Sequence, residues 1–133
     1  MSTVLKETQK EDVQLYANKC GTYIQVGKIL YAPFGKIPAE KIKEMNVELV
    51  DPKSRIVIFD NTEDIEFLVE PSFKYYFNFS LYARENGHFV LKMTAPTSCD
   101  SSWMVSYRIS SKTFYKILKN IFSNAVSIEK AKD

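Results

Sequence analysis

Phe77-Asn78-Phe79-Ser80-Leu81-Tyr82-Ala83-Arg84-Glu85-Asn86-Gly87-His88-Phe89-Val90-Leu91-Lys92-Met93-Thr94 is the stretch that decides how this chain folds. Two runs of alternating apolar and polar residues flank an Asn-Gly pair, which is the pattern of a β-hairpin. The loop length sets which residues share a face. A two-residue loop, Asn86-Gly87, pairs Glu85 with His88 and Leu81 with Lys92, mixing apolar and charged side chains on each face. A sheet with one buried side resists that mixture. A three-residue loop, Glu85-Asn86-Gly87, pairs Arg84 with His88, Ala83 with Phe89, Leu81 with Leu91 and Phe79 with Met93. Gly87 then takes the left-handed position that glycine adopts at least cost. This loop sorts the residues. One face is apolar: Phe77, Phe79, Leu81, Ala83, Phe89, Leu91 and Met93. The other carries Tyr76, Asn78, Ser80, Tyr82, Arg84, His88, Val90, Lys92 and Thr94.

Outward from the hairpin, the chain alternates strand and turn signals. Residues 4–19 read as a moderately amphipathic helix with Leu5, Val13 and Tyr16 as its apolar points. Thr22 to Phe34 reads as a strand bulged at Gly27. Pro38 opens a short helix through Asn46 with Ala39, Ile42 and Met45 on one stripe. Arg55 to Asp60 is apolar on both faces, so it belongs inside a sheet, and Ile65 to Glu70 alternates as its neighbour. Trp103 to Ile109 alternates again, with Met104, Ser106 and Arg108 on the outward side. Ser110 or Ser111 caps a last helix. Phe114, Ile117, Leu118, Ile121, Ala125 and Ile128 form its apolar stripe, and Lys112, Lys116 and Lys119 lie elsewhere on it. The fold expected is α+β. It has a mostly antiparallel sheet of five or six strands, an N-terminal helix, and a C-terminal helix on the apolar side.

The 133 residues fit a single domain over 1–133, and a hydrophobic fraction of 45% with 26% charged residues is ordinary for a globular chain. No stretch approaches the roughly 18 apolar residues that a bilayer-spanning helix needs. The N-terminus is charged and lacks the apolar core of a signal peptide, so the expected location is cytoplasmic, or the host cytoplasm if the chain is viral. Cys20 and Cys99 show no metal-ligand spacing and are expected as free thiols packed like small hydrophobes. Residues 1–70 carry nine Lys/Arg against twelve Asp/Glu, and residues 71–133 carry nine against four. A basic second half on a nearly neutral chain points to a polyanion.

Planar rings beside cations on an open sheet suit single-stranded nucleic acid. Bases stack on tyrosine for about 1–3 kcal/mol each, and Lys/Arg neutralise phosphates. The candidate binding residues are Tyr76, Tyr82, Arg84, Lys92 and Arg108, with Lys112 and Lys116 in support. Asn78 and Ser80 can add hydrogen bonds that demand no particular base. Catalytic signals are thin. His88 is the one histidine and lies by a turn; no GxSxG and no glycine-rich phosphate loop occurs. Asp60, Glu63, Asp64 and Glu66 form an acidic cluster beside a strand, which a metal-dependent nuclease would want. Its spacing matches no nuclease pattern, so no metal and no cofactor is expected.

From Tyr75-Tyr76-Phe77-Asn78-Phe79 through Ser106-Tyr107-Arg108-Ile109-Ser110 to the helix at Lys112, the order of elements resembles the positive-cofactor transcriptional coactivators. Those are strand-strand-strand-strand-helix modules that dimerise and bind single-stranded DNA on a curved sheet. The resemblance covers residues 73–130 and is one of pattern, while the N-terminal half departs from it. The small, aromatic, lysine-rich and glycine-poor chain is also similar to the single-stranded-DNA-binding proteins of archaeal rod-shaped viruses. The function expected first is therefore non-catalytic binding of single-stranded nucleic acid, DNA favoured, by a homodimer. A protein-interaction subunit using the same face comes second, and a small metal-dependent nuclease third.

Overall fold

The computed structural model describes residues 13–51, 53–71, 78–95 and 103–131. In chain order its elements are β1 (Val13–Asn18), β2 (Gly21–Val26), β3 (Ile29–Ala32), β4 (Gly35–Pro38), a 3-10 turn (Ala39–Glu44) and β5 (Glu48–Leu49). There follow β6 (Ser54–Asp60), β7 (Asp64–Pro71), β8 (Phe79–Arg84), β9 (Phe89–Ala95), β10 (Trp103–Ile109), α1 (Ser111–Ser123) and β11 (Ala125–Lys130).

The hairpin takes the three-residue register. Phe79 pairs with Met93, Leu81 with Leu91 and Ala83 with Phe89. The Arg84 N–H donates to the His88 carbonyl at 2.9 Å, and the Gly87 N–H donates to the Arg84 carbonyl at 3.0 Å. Gly87 sits at φ +82°, in the region that costs other residues most. The hairpin lies one strand in from the edge of a six-stranded sheet ordered β10-β9-β8-β7-β6-β11. Its apolar face meets α1, whose Phe114, Ile117 and Ile121 are buried. Phe67 meets Phe114 edge-on at 6.2 Å between ring centres, and Phe89 packs tilted against it at 4.6 Å. Ser110 caps α1 as expected, its hydroxyl accepting from the Thr113 N–H at 3.1 Å.

The α+β expectation fails in three places, and the outcome, among the described residues, is a mostly β fold with two sheets and one long helix. First, the expected N-terminal helix over residues 4–19 is a strand in its described part, Val13–Asn18, while residues 4–12 lie outside the described residues. Val13, Leu15 and Ala17 are buried and alternate with half-buried Gln14, Tyr16 and Asn18, a period of two rather than 3.6. β1 pairs with β2 through Leu15 and Ile24. Together with β3, β4 and β5 they form a second sheet, ordered β4-β3-β2-β1-β5. Second, Gly27 is no bulge. With Lys28 it closes a two-residue turn between Val26 and Ile29, at φ +60°. Third, α1 stops at Ser123, and Ala125–Lys130 returns as a strand parallel to β6, with Ile128 opposite Ile56.

The two sheets share one core. Leu15, Ile24 and Tyr31 from the first pack with Ile56, Leu81, Leu91 and α1 from the second. Tyr31 and Tyr107 meet edge-on at 5.2 Å, and the Tyr107 hydroxyl donates to the Ala32 carbonyl. The far side of the first sheet buries Tyr23, Leu30 and Ala32 beneath Ile42, Met45 and Val47, so the expected short helix after Pro38 is a 3-10 turn that caps a small second core. Cys20 is disulfide-bonded, which corrects the expectation of a free thiol there; Cys99 lies outside the described residues. No helix among the described residues is long and apolar enough to cross a membrane.

Candidate nucleic-acid interface

The outward face of the six-stranded sheet is laid out by register. One row across the strands reads Phe59, Glu66, Tyr82, Val90, Arg108; the next reads Val57, Leu68, Ser80, Lys92, Ser106. Tyr82, Lys92 and Arg108 are thus neighbours on three adjacent strands, as the alternation of each strand requires. Arg84 ends β8 on the same side. Thr94, Met104, Ser106 and Arg108 are exposed, and Tyr82 and Lys92 are half-buried.

The face divides by charge. The β7 side carries Glu66, and Glu70 paired with Arg55 of β6, while the β9–β10 side carries Lys92 and Arg108. Several of the side chains are already engaged. Ser80, only 5% exposed, donates its hydroxyl to Glu66 Oε2 at 2.7 Å. Arg84 lies 3.9 Å from an Asp64 carboxylate oxygen and stacks its guanidinium over the Tyr82 ring. Arg108 contacts the His88 ring at Nε2. Burial, and then the neighbouring Glu66 carboxylate, push the Tyr82 hydroxyl above its ordinary pKa. At neutral pH it is therefore a neutral ring with a hydroxyl donor, a suitable stacking platform.

Not every expected residue belongs to this face. Tyr76 lies outside the described residues. Lys112 and Lys116 are on α1, which packs on the opposite, apolar side of the sheet. They follow Arg108 closely in sequence, but the chain turns over the sheet edge at Ser110. The apolar stripe expected on the last helix is also divided: Phe114, Ile117 and Ile121 are core, while Ala125 and Ile128 belong to β11.

The acidic cluster is dispersed. Asp60 pairs with Lys130 at 3.6 Å, Asp64 with Arg84, and Glu66 with Ser80. Among the described residues no three His, Cys, Asp or Glu side chains converge to hold a metal. Sequence reasoning missed Glu66 as the neighbour of Tyr82, because that pairing depends on the β7–β8 register, which no turn signal announces. It also missed a groove of about 700 Å³ on the first sheet, between Tyr16, Gln25, Lys28, Pro38, Ile42 and Lys43.

No protein-family model, no curated protein and no solved structure matches this chain.

Proposed function

We propose that the protein binds single-stranded nucleic acid, DNA favoured, on the β8–β10 half of the outward sheet face, without catalysis. The observation that carries this is the diagonal run of Tyr82, Lys92 and Arg108 across β8, β9 and β10, with Val90 between Tyr82 and Arg108. A base stacking on Tyr82 brings its flanking phosphates toward Arg84, Lys92 and Arg108, and the exposed Ser106 hydroxyl lies in the same row as Lys92. Glu66, next to Tyr82 on β7, disfavours phosphate on that side and biases the strand toward the basic half. Cytoplasmic action is compatible with the disulfide at Cys20 where intracellular disulfides persist, as they do in hyperthermophiles.

A second reading, a partner protein docked on this face, is favoured by the half-buried apolar Val57, Leu68 and Val90 among the charges. Anisotropy titration with labelled single-stranded, double-stranded and RNA oligonucleotides tests the first reading. Tight binding of single strands supports it, and indifference to all three at low salt favours the protein partner.

A further inference from the structure

Tyr115 is 58% exposed on α1, on the far side of the sheet from Tyr82. It is not loose. Its ring lies edge-on to Phe114 at 5.1 Å and to Phe89 at 5.9 Å, so one side is fixed and the rest faces solvent. Lys112 and Lys119 stand three residues before it and four after, both exposed, which makes all three neighbours along one helix face. Helix rise separates the two lysines by roughly 10 Å. α1 carries no acidic residue, and its positively polarised N-terminal end has Lys112 in place of the usual carboxylate.

The position of Tyr115 links it to the other face. Phe89, which it packs on, pairs with Ile109 and directly follows His88. His88 in turn contacts Arg108 of the outward face. Arg108, His88, Phe89 and Tyr115 therefore form a chain of contacts over the hairpin end of the sheet, cationic on one side and aromatic on the other.

We propose that a single strand bound on the outward face continues around this end onto α1, where Tyr115 is a second stacking platform between Lys112 and Lys119. This rests on the reading of the outward face given above. Charge complementarity selects the occupant: an exposed ring flanked by lysines, on a helix free of carboxylates, fits a polyanion with flat bases.

The test uses fluorescence anisotropy with two labelled oligothymidylates, of about six and about twenty nucleotides, spanning the usual range of site sizes for one small domain. Loss of one stacked base is a loss of roughly 5- to 150-fold in affinity. Tyr115→Ala is expected to weaken the long oligonucleotide by that factor and to leave the short one unchanged, while Tyr115→Phe keeps both. Lys112→Gln with Lys119→Gln, at exposed positions outside the core, is expected to lower the salt slope for the long oligonucleotide by about 1.4. Unchanged binding of the long oligonucleotide by Tyr115→Ala and by the double lysine variant overturns the path and leaves the outward face intact as a site. Equal loss on both oligonucleotides also overturns it, because Tyr115 would then act at first contact or on the fold. Failure of the unaltered protein to bind either oligonucleotide removes the outward-face reading and this inference with it.

Discussion

The Arg84 guanidinium carbon lies 5.5 Å from the centre of the Tyr82 ring, and the same side chain reaches Asp64 at 3.9 Å. Each contact is weak at an exposed site, about 0.5–1 kcal/mol for the ring contact and about 0–1 kcal/mol for the ion pair. A base and its phosphate can therefore replace them at small cost. Replacing Tyr82 and Arg84 together by alanine is expected to reduce single-strand affinity roughly 5- to 150-fold. Stability should fall by no more than about 2 kcal/mol. Paired anisotropy and urea-denaturation measurements check this; unchanged affinity in a folded variant would move the site elsewhere.

Gly87 holds the loop that sets the hairpin register. Its φ of +82° is costly for any residue with a Cβ, and an added Cβ would meet no atom within 4 Å. The cost of Gly87→Ala is thus one of backbone conformation, about 1–2 kcal/mol. A lowered urea midpoint with an unchanged m-value is expected. An unchanged midpoint would contradict the loop geometry.

Tyr107 joins the sheets through its bond to the Ala32 carbonyl, and burial pushes its pKa up to about 12. The folded value is above the unfolded one, so this contribution is complete below pH 10 and is lost as pH rises toward about 12. Tyr107→Phe removes this bond and should cost about 0.5–1.5 kcal/mol. It should also flatten the fall of stability across that alkaline range, read by tyrosinate absorbance during alkaline unfolding.

At the other end of the six-stranded sheet, Arg55 ties β11 down. It bonds both carboxylate oxygens of Glu129, at 3.1 and 3.2 Å, and pairs with Glu70 at 3.3 Å. The hydrogen bond from Arg55, and then its charge, hold the Glu129 carboxyl below the usual range. A lowered folded pKa means that this support is present above the unfolded carboxylate value and disappears as pH falls through the folded one. Amide exchange in β11 is expected to accelerate on acidification before that in β8 and β9. Arg55→Ala should remove the difference by making β11 exchange fast at neutral pH.

The hairpin and α1 were legible because local rules over-determine them. Only one loop length sorts Phe79, Leu81, Leu91 and Met93 to one side, and Ser110 with Phe114, Ile117 and Ile121 marks a helix and its start. β1 was misread because Val13 and Tyr16 also satisfy a helical spacing, and only pairing with β2 decides between the two periods. β11 hid for the same reason. Ala125 and Ile128 continue the spacing of Ile121, yet Val126, Ile128 and Lys130 alternate as well, and the open edge of β6 selects the strand. Of the candidate face, the grouping of Tyr82 with Lys92, which Arg108 joins through the β9–β10 pairing, followed from alternation and the three-residue loop. Its acidic flank did not, since Glu66 reaches Tyr82 only through the β7–β8 register. Lys112 and Lys116 were read as the lysine-bearing surface of the last helix, and the helix indeed lies on the apolar side of the sheet, away from the Tyr82 face.

The central claim is that Arg84, Lys92 and Arg108 meet the phosphates of a single strand. The most direct measurement is the affinity for the short labelled oligothymidylate, of about six nucleotides, across a series of salt concentrations. Three phosphate contacts predict that the logarithm of the association constant falls with the logarithm of salt at a slope near −2, and that Lys92→Gln with Arg108→Gln reduces the slope by about 1.4. No measurable binding at low salt, or a slope untouched by that double change, would contradict the account.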